Sequence, residues 1–145
     1  MISELAVVSK KAKIADGVEI GPYAIIEDDV EISKNVKIWP HAHVCSGASI
    51  GEETQVHMGA VVGHLPQDLS FDPNTKTLTK IGRRTVIREY ATIHRSTNAG
   101  EATKVGDGCY LMAVSHVGHD CHIGDNVILA NGALLAGHVE VGDNS

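Results

Sequence analysis

Residues 18–56 read "VEIGPYAIIEDDVEISKNVKIWPHAHVCSGASIGEETQV", and an aliphatic residue returns at every sixth position: Ile20, Ile26, Ile32, Ile38, Val44, Ile50 and Val56. Neither the 3.6-residue period of a helix nor the two-residue period of a strand produces this spacing. The same repeat runs from Val8 to Val62, restarts at Ile81, and resumes from Val105 to Val141. A repeat this regular indicates a solenoid.

Each six-residue repeat predicts one short strand and one corner, so three repeats close a triangular coil. Successive coils would stack about 4.8 Å apart, with the aliphatic side chains filling the interior. A small or β-branched residue follows four positions after most aliphatic ones, where the walls converge. Cys109 and Cys121 occupy that inward position and are expected to be core residues. The predicted fold class is all-β, a parallel β-helix forming one domain over residues 1–145.

The repeat is interrupted twice, and each interruption predicts an external loop. The segment "GHLPQDLSFDPNTKTLTK" (63–80) is polar and contains Pro and Asn, which favour irregular backbone. The segment "HRSTNAGEATK" (94–104) keeps the six-residue register but has no aliphatic residue at position 99. Both segments are predicted to leave the body of the coil.

The composition limits the class of protein. Aromatic residues make up only 3% of the chain, which predicts a narrow aliphatic core. No apolar run approaches the roughly 18 residues of a membrane span, and the N-terminus lacks a signal-peptide pattern. Three cysteines form neither an even disulfide set nor a CxxC pair. We expect a cytoplasmic protein with no membrane span and no nucleic-acid partner.

Charge is distributed unevenly along the chain. Residues 76–104 carry a net charge of +5, whereas residues 1–75 carry −6 and residues 105–145 carry −5. A basic segment in an acidic protein indicates that an anionic ligand or partner is bound there. The alternative is a solvated loop rich in lysine and arginine.

The segment "SHVGHDCH" (115–122) contains three histidines, an aspartate and a cysteine. The repeat places His119 near His138, because the aliphatic residues that precede them are one full coil apart. His116 is expected at the corner leading into the same face, and the basic loops at the same edge. His122 is expected to point elsewhere. The other histidines are expected at exposed repeat positions: His41, His43, His57, His64 and His94.

Three functions are compatible with this cluster. His119, with the carboxylate of Asp120 beside it, could serve as the general base of an acyl transfer. Alternatively, His116, His119 and His138 could bind zinc, as in the hexapeptide-repeat carbonic anhydrases. A non-catalytic scaffold would leave the loops and the basic segment unexplained. Because a narrow prism has no interior cavity, a neighbouring subunit would complete the site, most simply in a homotrimer.

Four motifs in order narrow these alternatives: "PQDL" (66–69), "IREYATIHR" (87–95), "SHVGHDC" (115–121) and "LAGHV" (135–139). With them, essentially the whole chain resembles the family of UDP-N-acetylglucosamine 3-O-acyltransferases, which catalyse the first step of lipid A synthesis. The resemblance implies a left-handed β-helix and transfer of a 3-hydroxyacyl chain from acyl carrier protein. It implies no cofactor beyond the phosphopantetheine that carries this acyl chain.

The resemblance also assigns roles to individual residues. His119 matches the base that deprotonates the sugar 3-hydroxyl, and Asp120 would orient it. Gly137 matches the glycine whose backbone N–H faces the developing oxyanion.

Other matched residues would bind substrates. His116 and His138 correspond to residues that line the sugar and acyl-carbonyl region. Gln67 and Asp68 correspond to loop residues that contact the donor acyl chain and the sugar nucleotide. The implied partners are acyl carrier protein, a UDP-sugar and further copies of the chain.

The sequence departs from the family pattern in three places. Ser70 stands where many members have lysine, and "VGHDC" with "REY" is similar to members that acylate a 3-amino sugar nucleotide. The acceptor atom, oxygen or nitrogen, therefore stays open, as does the related N-acyltransferase of the lipid A pathway. The chain stops within a repeat at "VGDNS" (141–145), so we expect a truncated chain without the family's further coils and helical C-terminal domain.

Overall fold

The computed structural model describes all residues 1–145, and the chain consists of short parallel strands joined by corners and by two external loops. It contains no helix of the length and apolarity needed to cross a membrane. The strands are β1 (Val7–Val8), β2 (Lys13–Ile14), β3 (Glu19–Ile20), β4 (Ile25–Ile26), β5 (Glu31–Ile32), β6 (Lys37–Ile38), β7 (His43–Val44), β8 (Ala48–Ile50), β9 (Gln55–Val56), β10 (Val61–His64), β11 (Leu78–Ile81), β12 (Val86–Ile87), β13 (Thr92–His94), β14 (Ala102–Val105), β15 (Tyr110–Leu111), β16 (His116–Val117), β17 (His122–Ile123), β18 (Ile128–Leu129), β19 (Leu134–Leu135) and β20 (Glu140–Val141).

The strands form three parallel sheets, and each strand pairs with the third strand along the chain. Sheet 1 is β1-β4-β7-β10-β13-β16-β19, sheet 2 is β2-β5-β8-β11-β14-β17-β20, and sheet 3 is β3-β6-β9-β12-β15-β18. Uninterrupted coils pair residues 18 positions apart, as in Val8 with Ile26 and Ile26 with Val44. The parallel β-helix expected from the repeat is therefore confirmed, and it is consistent with the left hand that the resemblance implies.

The interior is the aliphatic column that the six-residue repeat predicts. Ile26 and Val44 stack in sheet 1 and are at most 1% exposed, whereas Ile25, which precedes Ile26 in the same strand, is 38% exposed. Cys109 and Cys121 lie in the same core cluster, as predicted. Alternation within two-residue strands thus decides which side chains reach the core.

The corners use left-handed backbone at the third position after the inward aliphatic residue. Most of these positions hold polar or aromatic residues, but Val114 adopts φ of 62°. A β-branched side chain is strongly disfavoured in this conformation. Val114 is 59% exposed, so its side chain gains little from packing in return.

Both predicted loops leave the coil at one corner, between sheets 1 and 2. The first spans residues 65–77 and joins β10 to β11, and the second spans residues 95–101 and joins β13 to β14. The ends of both predicted segments belong to strands: β10 and β11 flank the first loop, and β13 and β14 flank the second. Two loops on successive coils therefore stand above the same edge.

The two loops converge at this edge as predicted, but most of the positive charges of residues 76–104 lie elsewhere. Each repeat turns the chain to the next face, and residues 76–104 cover more than one coil, which spreads their charges around the prism. Lys80 and Lys104 lie side by side on sheet 2, Arg83 and Arg84 at the corner between sheets 2 and 3, Arg88 at the corner between sheets 3 and 1, and only Lys76 and Arg95 in the two loops.

Candidate active site

The corner between sheets 1 and 2 brings His119, Asp120 and His138 together. His119 and Asp120 form the turn after β16, and His138 lies in the same turn one coil further on. The His138 N–H donates to the His119 carbonyl over 2.9 Å, and their rings meet edge to face with centroids 5.2 Å apart. The predicted proximity of these two histidines is confirmed.

Asp120 is fixed as a carboxylate by the second loop. Its side chain is 7% exposed and accepts hydrogen bonds from the Ser96 hydroxyl, the Thr97 hydroxyl at 2.6 Å and the Thr97 N–H at 3.1 Å. Burial alone would raise the pKa of Asp120, but these bonds, with that of His119, hold it at about 2. A negative charge is therefore present at this point throughout the neutral range.

The Asp120 carboxylate determines which nitrogen of His119 carries the proton. His119 Nδ1 lies 2.8 Å from Asp120 Oδ2, and a carboxylate accepts a hydrogen bond. The proton of neutral His119 therefore sits on Nδ1, which leaves a lone pair on Nε2. His138 Nε2 is 3.7 Å from the same carboxylate oxygen, but the His138 side chain is 64% exposed and less firmly held.

Gly137 is the residue on which the His119 ring rests. A Cβ built at position 137 would lie 2.5 Å from His119 Nε2, which no side chain can tolerate without displacing the ring. The Gly137 N–H donates to no backbone carbonyl. The lack of a side chain at position 137 thus leaves room for the His119 imidazole, and the Gly137 N–H beside the ring is an unpaired donor.

A cleft of about 670 Å³ runs across the outer face of sheet 1 next to these residues. His119, Gly137 and His116 line one side, and Tyr90 and Val114, from the opposite corner, line the other. Three exposed apolar side chains flank the cleft: Tyr90, Val114 and Leu134.

His116 lines the cleft from a strand, which corrects its predicted place at a corner. It is the first residue of β16, and its Nδ1 lies 2.7 Å from the Thr92 hydroxyl on the neighbouring coil. Burial and the nearby His119 lower the pKa of His116, which favours a neutral ring. The strand begins one residue earlier than the six-residue pattern suggested.

His94 also lines the cleft, and the prediction that it is exposed is wrong. It is 6% exposed and forms a column with His64 and His116, with ring centroids 6.1 and 4.7 Å apart. Burial, assisted by the neighbouring imidazoles, lowers the pKa of His94 to about 4, so it is neutral at pH 7. It lies where β13 pairs irregularly with β10, just before the second loop. The one sequence feature that pointed to a role for His94 at the site is its position inside the motif "IREYATIHR".

The two first-loop residues differ in position. Gln67 lines the cleft, whereas Asp68 does not. Asp68 instead accepts hydrogen bonds from the Ser70 N–H at 2.9 Å and the Ser70 hydroxyl at 2.7 Å, and these bonds lower the pKa of Asp68. Ser70 therefore closes a local turn at the position where many family members have lysine. His122, as predicted, points away from this corner and is exposed on sheet 2.

The three-histidine zinc site is not assembled. The donor atoms that converge within 4.8 Å belong to His119, Asp120 and His138, and His116 is directed to Thr92 instead. The Asp120 oxygens already accept bonds from Ser96 and Thr97. The corner is better suited to proton transfer, with an oriented imidazole beside an unpaired N–H and a large cleft.

The family model "Bacterial transferase hexapeptide (six repeats)" matches residues 11–44, 29–64 and 102–137. Two curated relatives are acyl-[acyl-carrier-protein]--UDP-N-acetylglucosamine O-acyltransferases. That of Campylobacter concisus is 43% identical over 98% of this chain and 55% of its own length. That of Thermodesulfovibrio yellowstonii is 42% identical over the same shares. The chain thus spans about half the length of the curated relatives it matches.

Solved structures agree with these matches. The UDP-N-acetylglucosamine acyltransferase of Bacteroides fragilis superposes with a TM-score of 0.94 at 40% identity, over 99% of this chain and 56% of that one. The corresponding enzyme of Campylobacter jejuni gives a TM-score of 0.92 at 41% identity over the same shares. Both matches cover nearly the whole of this chain.

Proposed function

Because the chain belongs to the bacterial transferase hexapeptide family, we propose that it transfers an acyl group from acyl carrier protein to UDP-N-acetylglucosamine. The observation that carries this proposal is the His119–Asp120 pair, with a free imidazole nitrogen beside Gly137 at the edge of the cleft. The activity of the two acyltransferase relatives supports the choice of donor and acceptor.

His119 is the general base in this proposal. Its Nε2 takes the proton of the sugar 3-hydroxyl as that oxygen attacks the thioester carbonyl. Asp120, held ionised by Ser96 and Thr97, keeps the Nδ1–H tautomer and stabilises the imidazolium that forms. The proton then leaves from Nε2 to the departing phosphopantetheine thiolate, which returns His119 to its starting state.

Gly137 is the proposed oxyanion donor. Its N–H has no backbone carbonyl partner and lies at the cleft, where the thioester oxygen gains negative charge during the attack. Removing one such donor typically costs about 100- to 1,000-fold in rate. His116 and His94, both favoured in the neutral form, would supply uncharged polar contacts to sugar and acyl carbonyl rather than additional bases.

In this proposal the protein is cytoplasmic, and neighbouring subunits of a homotrimer complete the site. The cleft is an open groove on a narrow prism, and the apolar side chains beside it are exposed, Leu134 by 74%. A second copy covering Tyr90, Val114 and Leu134 would turn the groove into an enclosed pocket. Sedimentation equilibrium tests this: a monomer that has full activity would contradict it.

The function is tested by product analysis with 3-hydroxyacyl carrier protein as donor. Three acceptors separate the alternatives: UDP-N-acetylglucosamine, its 3-amino analogue, and the 3-O-acylated glucosamine nucleotide of the pathway's N-acyltransferase. We expect ester formation on the first and loss of turnover by orders of magnitude in His119→Ala. Amide formation on either of the other acceptors, or near-normal turnover in His119→Ala, would overturn the assignment.

A further inference from the structure

A second group of side chains that could bind a metal lies at the corner between sheets 1 and 2, in the early coils of the β-helix. Glu27 follows β4, and His43 and Cys45 flank the inward Val44 at the end of β7, the strand stacked on β4. A carboxylate oxygen, an imidazole nitrogen and the thiol sulfur of these three residues all lie within 4.8 Å of one another.

Cys45 differs from the other two cysteines of the chain. Cys109 and Cys121 belong to the aliphatic core, and their thiols donate to the backbone carbonyls of Gly124 and Ala136. Cys45 is only 4% exposed, yet it lies outside that core and makes no hydrogen bond through its sulfur. Core filling therefore does not account for a cysteine at position 45.

The backbone directs the three side chains to one point. Residues two apart in a strand project to the same side, so His43 and Cys45 face the same way. Glu27 reaches them from the coil below: its Oε1 is 2.7 Å from His43 Nε2, and its Oε2 accepts the Ser46 N–H at 2.9 Å. That second bond fixes the carboxylate in the way outer partners orient a metal ligand.

We propose that Glu27, His43 and Cys45 bind a zinc ion, with water in the fourth position. Ligand atoms around tetrahedral zinc are about 3.3 to 3.6 Å apart, so adjustments of about 1 Å from the present positions suffice. Imidazole, thiolate and carboxylate together suit zinc better than magnesium or calcium. His43 and Glu27 side chains are 34% and 39% exposed, which leaves a route for the ion and room for water.

The charges of this set match the ion. When zinc binds, the thiol proton and any proton shared by Glu27 and His43 pass to solvent, so one thiolate and one carboxylate neutralise the divalent charge. Burial and the nearby Glu27 carboxylate raise the pKa of the Cys45 thiol to about 12, so the thiol keeps its proton until the ion displaces it. The Arg95 guanidinium opposes this shift from its place over the Phe71 ring in the first loop. Strands β10 and β13 separate this group from His116 on β16, so the site is independent of the proposed acyl transfer.

The test uses cobalt as a spectroscopic probe on the purified, metal-free 145-residue chain. We expect one equivalent of Co²⁺ to give a thiolate-to-cobalt charge-transfer band and tetrahedral ligand-field bands, both abolished by one equivalent of Zn²⁺. In Cys45→Ser the charge-transfer band should vanish, and the zinc Kd should rise by more than about 100-fold, since losing even an outer partner costs 10- to 100-fold.

Two control variants separate this site from other metal binding. Cys121→Ala is conservative, because the equivalent inward positions hold Ala24, Ala42 and Ala60, and it should retain the cobalt spectrum. His138→Ala removes one of the three potential donor side chains at the His119 corner, none of which is a thiol, and should also retain the band. The proposal is overturned if stoichiometric cobalt gives no charge-transfer band, or if the band survives in Cys45→Ser while circular dichroism shows an intact fold.

Discussion

Substituting Gly137 by alanine tests whether the orientation of His119 depends on the neighbouring coil. The new Cβ would stand 2.5 Å from His119 Nε2, whereas carbon and nitrogen atoms need roughly 3.4 Å, so the ring must move by about 1 Å. Gly137 does not have a left-handed φ, so alanine adds crowding there without backbone strain. A misplacement of about 1 Å at a catalytic group can cost about 100-fold in rate.

We therefore expect Gly137→Ala to lower kcat by about 100-fold with little change in KM. Gly142→Ala is the matched control, because position 142 also lacks a left-handed φ and a Cβ there meets nothing within 4 Å. Steady-state kinetics and thermal unfolding of both variants provide the comparison. Full activity in Gly137→Ala, or an equal loss in Gly142→Ala, would refute the reasoning.

Three further predictions concern stability. Asp120 has a folded pKa of about 2, below the roughly 3.9 of an unfolded aspartate, so its contribution is complete above pH 4 and is lost as pH falls toward 2. Urea titrations should show that the free energy of unfolding of the parent chain falls by about 2 kcal/mol over this pH range, and that Asp120→Asn does not show this fall. Parallel pH profiles of stability in the two proteins would contradict the prediction. Val114→Asn should raise the free energy of unfolding by about 1 kcal/mol, because asparagine tolerates the left-handed φ of 62°, and an unchanged Tm would disprove this strain. Ile26→Ala should cost about 2 to 5 kcal/mol and Ile25→Ala under about 1 kcal/mol, and similar losses in both would invalidate the assigned inward face.

The repeat predicted the parts of the fold that depend on periodicity alone. Spacing of six fixes which residue points inward, and spacing of eighteen fixes which strands pair, so the Ile26–Val44 pairing follows directly from the sequence. The same count brought His119 next to His138 without any knowledge of the loops. Positions that follow the repeat are predictable because every coil repeats the same local backbone.

The loops are where prediction from sequence ended. The Ser96 and Thr97 bonds to Asp120 depend on the path of the second loop, which has no repeat to define it. His94 is buried because the chain departs from regular pairing beside the second loop, whereas the repeat alone would leave this side chain outside. Both features determine protonation at the site, since one holds a carboxylate ionised and the other holds an imidazole neutral.

The basic segment shows why closeness in sequence misleads in a solenoid. Lys80 and Lys104 are 24 residues apart but adjacent, because the second loop adds six residues to the 18 of one coil, whereas Arg83 and Arg88 are five apart and lie at different corners. Like charges therefore lie side by side only where successive coils carry them at equivalent positions, as Lys80 and Lys104 do on sheet 2. His122 follows them in the same row, and the loop residue Arg95 lies apart from this row, at the corner that holds His119. Two variants distinguish the two surfaces: the double variant Lys80→Ala/Lys104→Ala for sheet 2, and Arg95→Ala for the corner that holds His119. The measurement is the KM of the acyl donor as a function of salt concentration. If acyl carrier protein binds at the corner that holds His119, only Arg95→Ala weakens the salt dependence of the donor KM. If only the double lysine variant weakens it, the donor binds on sheet 2 instead.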